Sequence, residues 1–405
     1  MVADLSTVDS FPILRDLSRP FDPPAVYQDL RRESPAHPVR IWNGNRVWLF
    51  SRYEDCRTVL SDPRFSAVPT RPGYPALSPG HAKAAVEDTF LRMDPPEHTR
   101  LRRMFAREFT AKSLGGLRGD IDTLVNSLID DVTAKGPPTD LLKSFCSLLP
   151  AYMICQILDV PKEDVEFFKT RTEIAFTFSS PAELVERATA EMLDFVRGLI
   201  ETRMKNPGDD MISRVAVEHV ATGEISVDLA VQNIRRLLEA GHETTANQMA
   251  LSILVMIEKF PGQWAMLRDN PDLARNATEE LLRYVSIAHR FPRRVAIEDV
   301  EMHGQTIRAG DGIYTLPPSA NRDEARFENA DTVDISRYDP GHLAFGWGPH
   351  QCFGQTLARL ELQSMLSIMP RRLPGLSLAV PFAEIEFDEG MISYGIRALP
   401  VTWTA

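Results

Sequence analysis

The chain lacks most of what would tie it to nucleic acid, a membrane or a disulfide scaffold. It holds four cysteines, Cys56, Cys146, Cys155 and Cys352, and the first three fall in helix-like patterns with no paired spacing. Disulfide frameworks rescue small secreted domains with too little core, and 405 residues is too many to need one. No CxxC pair or HExxH run points to zinc, and neither a P-loop nor a Rossmann glycine fingerprint is present. Lys and Arg number 45 against 56 Asp and Glu, a net charge of −11. With no basic block among them, nucleic acid is excluded as a natural partner. No stretch approaches the roughly 20 apolar residues of a membrane span. The N-terminal Met1–Asp9 has neither a basic start nor an apolar run. The expectation is a cytoplasmic protein with no membrane attachment.

Residues 1–40 are Pro-rich and read as irregular, with a short helix near Ala25–Glu33. Arg46–Ser51 is the first strand candidate, and Tyr53–Leu60 reads as a helix stopped by Ser61-Asp62-Pro63. Residues 66–90 are rich in Pro, Gly and Ala with weak periodicity, the mark of a long functional loop. From Asp94 to about Ile200 helix follows helix. Strand segments lie between Arg294 and Tyr314, separated by His-Gly and Ala-Gly-Asp-Gly turns, and two more near the C-terminus read L-S-L-A-V and L-P-V-T-W. Residues 317–344 are irregular. No repeat or linker divides the chain. The pattern predicts one mainly α domain with minor β over residues 1–405, the irregular 1–40 included.

The chemistry is concentrated in Phe345-Gly-Trp-Gly348-Pro-His350-Gln-Cys352-Phe-Gly354. This places one cysteine in a Gly-rich loop ahead of a helix patterned by Leu357, Ala358, Leu360, Met365 and Leu366. A thiolate there meets backbone N–H groups and the positive end of the helix dipole. Such a loop presents a soft anionic ligand to a haem iron. Gly346 and Gly348 allow a sharp turn and close approach to a flat macrocycle, and Gly354 leaves room beside the sulfur. Phe345 and Trp347 exclude water, and His350 reaches a haem carboxylate.

A second stretch starts at Ser226, a natural N-cap, and meets no proline before Pro261. A helix of that length spans roughly 50 Å. In its middle lies Ala240-Gly241-His242-Glu243-Thr244-Thr245. Glycine weakens the helix and threonine hydroxyls bond back to carbonyls, so a widened turn with room for water and a diatomic ligand is expected. Glu243 and Thr244 would set a carboxylate and a hydroxyl beside it as a proton relay. Read alone, the stretch fits a Gly-kinked core helix equally well, and His242 reads as packing.

Two further patterns place charge on single helix faces. Glu280 and Arg283 are i,i+3 neighbours. Asp94-Pro95-Pro96-Glu97 reads as a helix start with Asp94 as cap and Glu97 completing a capping box. His98 and Arg102 then share a face suited to two carboxylates.

The cysteine loop resembles the haem-binding signature of the cytochrome P-450 family, F-x-x-G-x-x-x-C-x-G. Ala240–Thr245 resembles that family's [AG]-G-x-[DE]-T-[TS] element on its long distal helix. The likeness runs from the Trp48 strand to Thr402, with the motifs in the family's order. It implies a fold that holds haem b between a long distal helix and a proximal Cys-loop helix. Cys352 would be the iron ligand and Glu243 and Thr244 the catalytic pair for proton delivery. His98, Arg102, Arg294 and His350 would hold the haem carboxylates, with Phe345, Ala240 and Gly241 against the cofactor. Glu280, Arg283 and Arg337 would form the family's structural ion network, and Asn321-Arg322-Asp323 matches its usual run.

By the same likeness the substrate pocket draws on the 66–90 loop, the helices around 165–200, Leu237, Ile287, His289, Arg290, Phe291, Met391 and Ile392. Phe176, Phe178 and Phe291 suggest an apolar substrate, and His289 or Arg290 would hold its carbonyl or acid group. The resemblance implies a haem-thiolate monooxygenase of secondary metabolism that hydroxylates, epoxidises or oxidatively couples a mainly apolar small molecule. It would be a monomer, have no flavin or iron–sulfur cluster of its own, and take electrons from ferredoxin and ferredoxin reductase. Arg103 and Arg107 would help dock that donor. Two other readings stay open. Thr70–Ser78 and Arg293-Arg294 resemble haem-thiolate nitric oxide reductases that take NADH directly, a branch without the acid that Glu243 provides here. The other is a non-catalytic haem-binding sensor or recruitment partner.

Overall fold

The computed structural model describes residues 5–78, 88–177 and 180–404. Its architecture is organised by one long helix, Val227–Glu258, of 32 residues. Ser226 Oγ accepts the N–H of Leu229 at 3.1 Å, so the expected cap forms. The helix ends two residues before Pro261 opens the next one, Pro261–Asp269. From Asn233 to Met256 almost every residue is buried, so this is a core helix rather than an amphipathic surface one. Helices Leu148–Leu158, Val165–Phe176, Ala182–Lys205 and Pro261–Asp269 pack against it. The helix after the cysteine, Gln355–Arg372, packs against Arg118–Lys135, Pro261–Asp269 and Ala274–Val285. A large apolar cluster, including Leu238, Met249, Leu254, Leu281, Met365 and Leu366, joins these helices into one core.

The strands form small sheets at the edge of the helical mass. The largest has five strands in the order Ala36–Arg40, Arg46–Phe50, Gly312–Thr315, Arg293–Ala296 and Phe65–Ser66. Trp48 lies beside Ile313 in a parallel pair, and Arg294 lies opposite Ile313 in an antiparallel one. This pairing fixes Arg294 on the sheet, where it is almost fully buried.

The observed fold is mainly α with minor β, as expected, and corrects the sequence reading in places. Ala36–Arg40 is a strand inside the segment read as irregular. Its Pro38 lacks the N–H a ladder needs, and the strand sits at the sheet edge where that is tolerated. The two-residue strands Phe387–Asp388 and Gly395–Ile396 are too short to show a period. The capping box at Asp94 does not form. The helix runs Glu97–Met104 with no side-chain cap. Asp94 instead bonds the Ser66 hydroxyl at 2.5 Å and the Ala67 N–H at 2.9 Å, while Glu97 pairs with Arg100. The centre of the 66–90 loop and Phe178 lie outside the described residues. Among the described residues no helix is long and apolar enough to cross a membrane.

Candidate active site

The cysteine loop is closed by its own backbone. Cys352 N–H donates to Phe345 O at 2.8 Å and Gly346 N–H to Leu343 O at 3.0 Å. Gly346 and Gly348 sit at φ 68° and 72°, in the region that favours glycine. At Gly348 the protein itself demands it, since a Cβ would lie 2.6 Å from Leu60 O and 3.0 Å from Ser61 Cα. The small residue therefore serves contact with helix Tyr53–Ser61, not only approach to a macrocycle. A Cβ at Gly354 would meet no protein atom within 4 Å, so packing alone does not require glycine there. Trp347 packs toward the sheet-side core with Arg57 over its ring at 4.2 Å.

The sulfur lies where the sequence placed it, at the start of Gln355–Arg372. The backbone N–H groups of Gly354 and Gln355, with Arg102 and Arg359 nearby, favour its thiolate, but burial outweighs them and raises the thiol pKa. Cys352 is nonetheless exposed. The other three cysteines are buried and inert, with thiols pushed far up by desolvation.

Beside it His98, Arg102, Arg294 and His350 converge. The His98 and His350 rings are 4.2 Å apart, and His98 is held down to about 4 by burial and then by Arg102 and Arg294. His350 is depressed by burial and then by Arg294, His98 and Arg102. Arg102 gives one N–H to Gln351 O at 2.8 Å, and Arg294 gives one to Arg293 O at 2.7 Å. Both ring nitrogens of His98, Nδ1 of His350 and Nη1 of Arg102 are buried with no partner among the described residues. Asp94, the carboxylate that acts on His98 and Arg294, is spent on Ser66 and Ala67. Buried donors without acceptors, gathered beside a thiolate, fit a ligand that brings two carboxylates and a soft metal. Haem is such a ligand.

On the long helix, Ala240 is exposed and Gly241 and Thr244 half-buried amid otherwise buried residues. Leu237, Ala240 and Thr244 follow the i, i+3, i+7 spacing of one face. The expected back-bond forms, with Thr244 Oγ1 donating to Ala240 O at 3.0 Å. The widened turn does not, because the helix is continuous α from Val227 to Glu258. Gly241 has another physical reason. A Cβ there would come within 3.0 Å of Ile154 Cγ1, so glycine lets helix Leu148–Leu158 pack close. His242 is packing, buried with its ring edge on Phe168. Glu243 is buried, and desolvation lifts its carboxyl to about 7 against hydrogen bonds from Ser393 and Asn247. An acid tuned there holds and gives up a proton near neutrality.

The ion network is present and larger than expected. Arg283 grips Glu280 through two bonds of 2.9 and 2.8 Å, and both are essentially excluded from solvent. Arg283 also donates to the carbonyls of Asn321, Ala330 and Thr332. Arg337 stands farther off, 4.0 Å from Glu280, and bonds Glu328 O at 2.6 Å. Sequence reasoning missed a second network one residue earlier. Glu279 binds Arg359 at 2.8 Å and His342 at 3.1 Å, and Arg359 lies 4.5 Å over the Phe345 ring. These residues tie helix Ala274–Val285, the cysteine loop and the cysteine helix together. The i,i+3 signal hid it, since its members are about 60 and 80 residues apart.

The pocket candidates divide. Ile287, Phe291, Met391 and Ile392 are half-buried, and Phe176 and Leu237 buried. Thr177 bridges to Met391, so the end of helix Val165–Phe176 meets the C-terminal loop. His289 Nε2 bonds Met391 O at 3.1 Å, and burial lowers it to about 3. Arg290 is not brought to the thiol. Its guanidinium donates to Glu389 O at 2.5 Å and lines a small pocket with Arg15 and Tyr27 of the N-terminal region. The double arginine is also committed, with Arg293 donating to Pro75 O at 3.1 Å.

A long core helix, a cysteine at the head of a second helix and buried donors for two carboxylates beside it are the parts of a haem-thiolate protein. The family profile described as Cytochrome P450 matches residues 152–373. Cytochrome P450-SU2 of Streptomyces griseolus is 43% identical over 95% of this chain and 94% of that protein. The mycinamicin VIII C21 methyl hydroxylase of Micromonospora griseorubida is 40% identical over 94% of this chain and 96% of its own length. The crystal structure of GfsF superposes with a TM-score of 0.92 at 40% identity, covering 98% of this chain and 100% of that one. The chain belongs to the cytochrome P450 family and is a P450 monooxygenase.

Proposed function

We propose that this enzyme hydroxylates, or otherwise oxidises, a mainly apolar small molecule of secondary metabolism, with electrons from a ferredoxin and its reductase. The observation that carries the reading is the cluster of unpartnered buried donors beside Cys352. In this reading Cys352 binds the iron of haem b, and His98, Arg102, Arg294 and His350 hold its two carboxylates. Phe345, Ala240 and Gly241 lie against the macrocycle. When bound, the haem supplies the oxidising power, and the electron-rich thiolate promotes cleavage of dioxygen. The protein's part is positional. Glu243 holds a proton near neutral pH, Thr244 offers a hydroxyl on the accessible face, and the apolar wall orients the substrate. Glu280, Arg283 and Arg337 keep the loop in place and take no part in the reaction.

The pocket residues Leu237, Ile287, Phe291, Met391 and Ile392 favour bulky apolar substrates. The similar mycinamicin VIII C21 methyl hydroxylase supports hydroxylation at an apolar carbon. His289 keeps its place as a pocket residue through its bond to Met391. We take the whole chain as one folding unit, acting as a monomer without a flavin or cluster of its own. The nitric oxide reductase reading is weaker here because Arg293 is bound to Pro75 and Glu243 is present. The test is a substrate library screened by optical spin shift, with turnover on a surrogate ferredoxin system and mass analysis of products. Oxygenated product from an apolar ligand is expected. Rapid NADH oxidation with nitric oxide, and no oxygenated product, would overturn the reading.

A further inference from the structure

The Glu243 carboxyl is held by two groups that the acid–alcohol motif does not contain. Ser393 Oγ donates to Glu243 Oε1 at 2.7 Å. Asn247 Nδ2 donates to the same oxygen at 2.7 Å and to Ser393 Oγ at 3.0 Å. Because the serine oxygen accepts from the amide, its own proton is free to go to the glutamate. Asn247 is one turn beyond Glu243 on the same helix face. Gly395 keeps it there, since a Cβ at Gly395 would lie 2.4 Å from Asn247 Oδ1. The three side chains form a closed ring, and Ser393 is fully buried.

The ring makes the two carboxyl oxygens unequal. Oε1 receives two donors, whereas Oε2 is buried with no partner among the described residues. A neutral carboxyl that accepts twice at one oxygen carries its proton on the other. We propose that Ser393, with Asn247, is a positioning residue that clamps Glu243 through Oε1 and so leaves Oε2 as the oxygen that carries and releases the proton. The proposal rests on the reading of Glu243 as proton donor. Ser393 also follows directly on Met391 and Ile392, and Met391 is tied to His289 and Thr177. One short stretch therefore carries both the pocket wall and the clamp. The other charged group acting on Glu243 is Asp388, from the same C-terminal segment, and it raises the carboxyl pKa.

The experiment compares Ser393→Ala, Asn247→Ala and Glu243→Gln in the haem-loaded enzyme. The first readout is infrared titration of the protonated carboxyl band, assigned to Glu243 by its loss in Glu243→Gln. Each clamp variant is expected to move the midpoint up by about one pH unit, because a donor to the ionised form is lost. The second readout is the share of electrons that reaches product. It is expected to fall several-fold in both clamp variants, with peroxide released, while substrate spin shift and the reduced carbon-monoxide spectrum stay unchanged. If the clamp variants keep the wild-type midpoint and coupling while Glu243→Gln loses coupling, the clamp is overturned and the donor stands. Full coupling in Glu243→Gln overturns the donor reading and the proposal with it.

Discussion

Behind the cysteine loop, on the side away from the unpartnered His98, Arg102 and His350, polar side chains are paired many times over. Arg283 makes five bonds, to Glu280 and three carbonyls. Glu279 holds His342 and Arg359, and Asn321 binds both Ser286 and the Leu343 N–H. Around the long helix's centre, the polar groups are only part-used. Among the described residues Glu243 Oε2 has no partner, and Thr244 Oγ1 donates to its own helix at Ala240 O. The contrast fits the work that the proposed function gives each side. A metal ligand must be held in one place by redundant contacts, because a buried ion pair binds strongly only when its other hydrogen bonds are met. A proton donor needs a group left unsatisfied and a pKa near neutral.

Breaking the redundant side should have the largest effect. Arg283→Ala leaves Glu280 buried with only Arg337, 4.0 Å away, as a counter-charge, and is expected to destabilise the protein by about 3–5 kcal/mol. Denaturant unfolding and haem retention after purification measure it. A loss under ~1 kcal/mol would mean that the network is ornamental and the contrast false.

The sparing side should answer to pH instead. Glu243 rises from its ordinary 4.5 to about 7 in the fold, chiefly by desolvation. A raised folded pKa means that the native state binds the proton more tightly. That stability is complete below the unfolded value and disappears as pH rises through the folded one. Glu243→Gln removes the dependence, so it should gain on the wild type by up to about 3 kcal/mol between mildly acidic and mildly alkaline pH. Parallel melting temperatures across that range in both proteins would refute the tuned acid.

The smallest effect is expected at Arg290, which the geometry assigns to the N-terminal pocket rather than to substrate. Arg290→Ala should leave the substrate concentration for half-maximal spin shift within about twofold. A tenfold weakening, about 1.4 kcal/mol, would return Arg290 to the pocket wall.

The contrast also explains what could be read from the sequence. Cys352 with its glycines, and Ala240–Thr245, are local patterns whose spacing carries their chemistry, and they fall where expected. The long helix was legible through Ser226 and the absence of proline before Pro261. Ser393, Gly395, His342 and Arg359 were not, because their partners are 63 to 150 residues away and no periodicity links them. Two glycines have packing reasons the sequence could not show, Gly241 against Ile154 and Gly348 against Leu60. Asp94 was misread because its strand partner, Ser66, outcompetes the helix end for the carboxylate. Arg290 was misread because adjacency to an apolar segment does not fix which way a long side chain turns.

The most direct test of the account replaces Cys352 with serine in the haem-loaded protein and records the spectrum after reduction under carbon monoxide. The thiolate-type absorption should vanish, with monooxygenase turnover, while helix content stays near that of the parent. An unchanged absorption band would mean that another residue holds the iron.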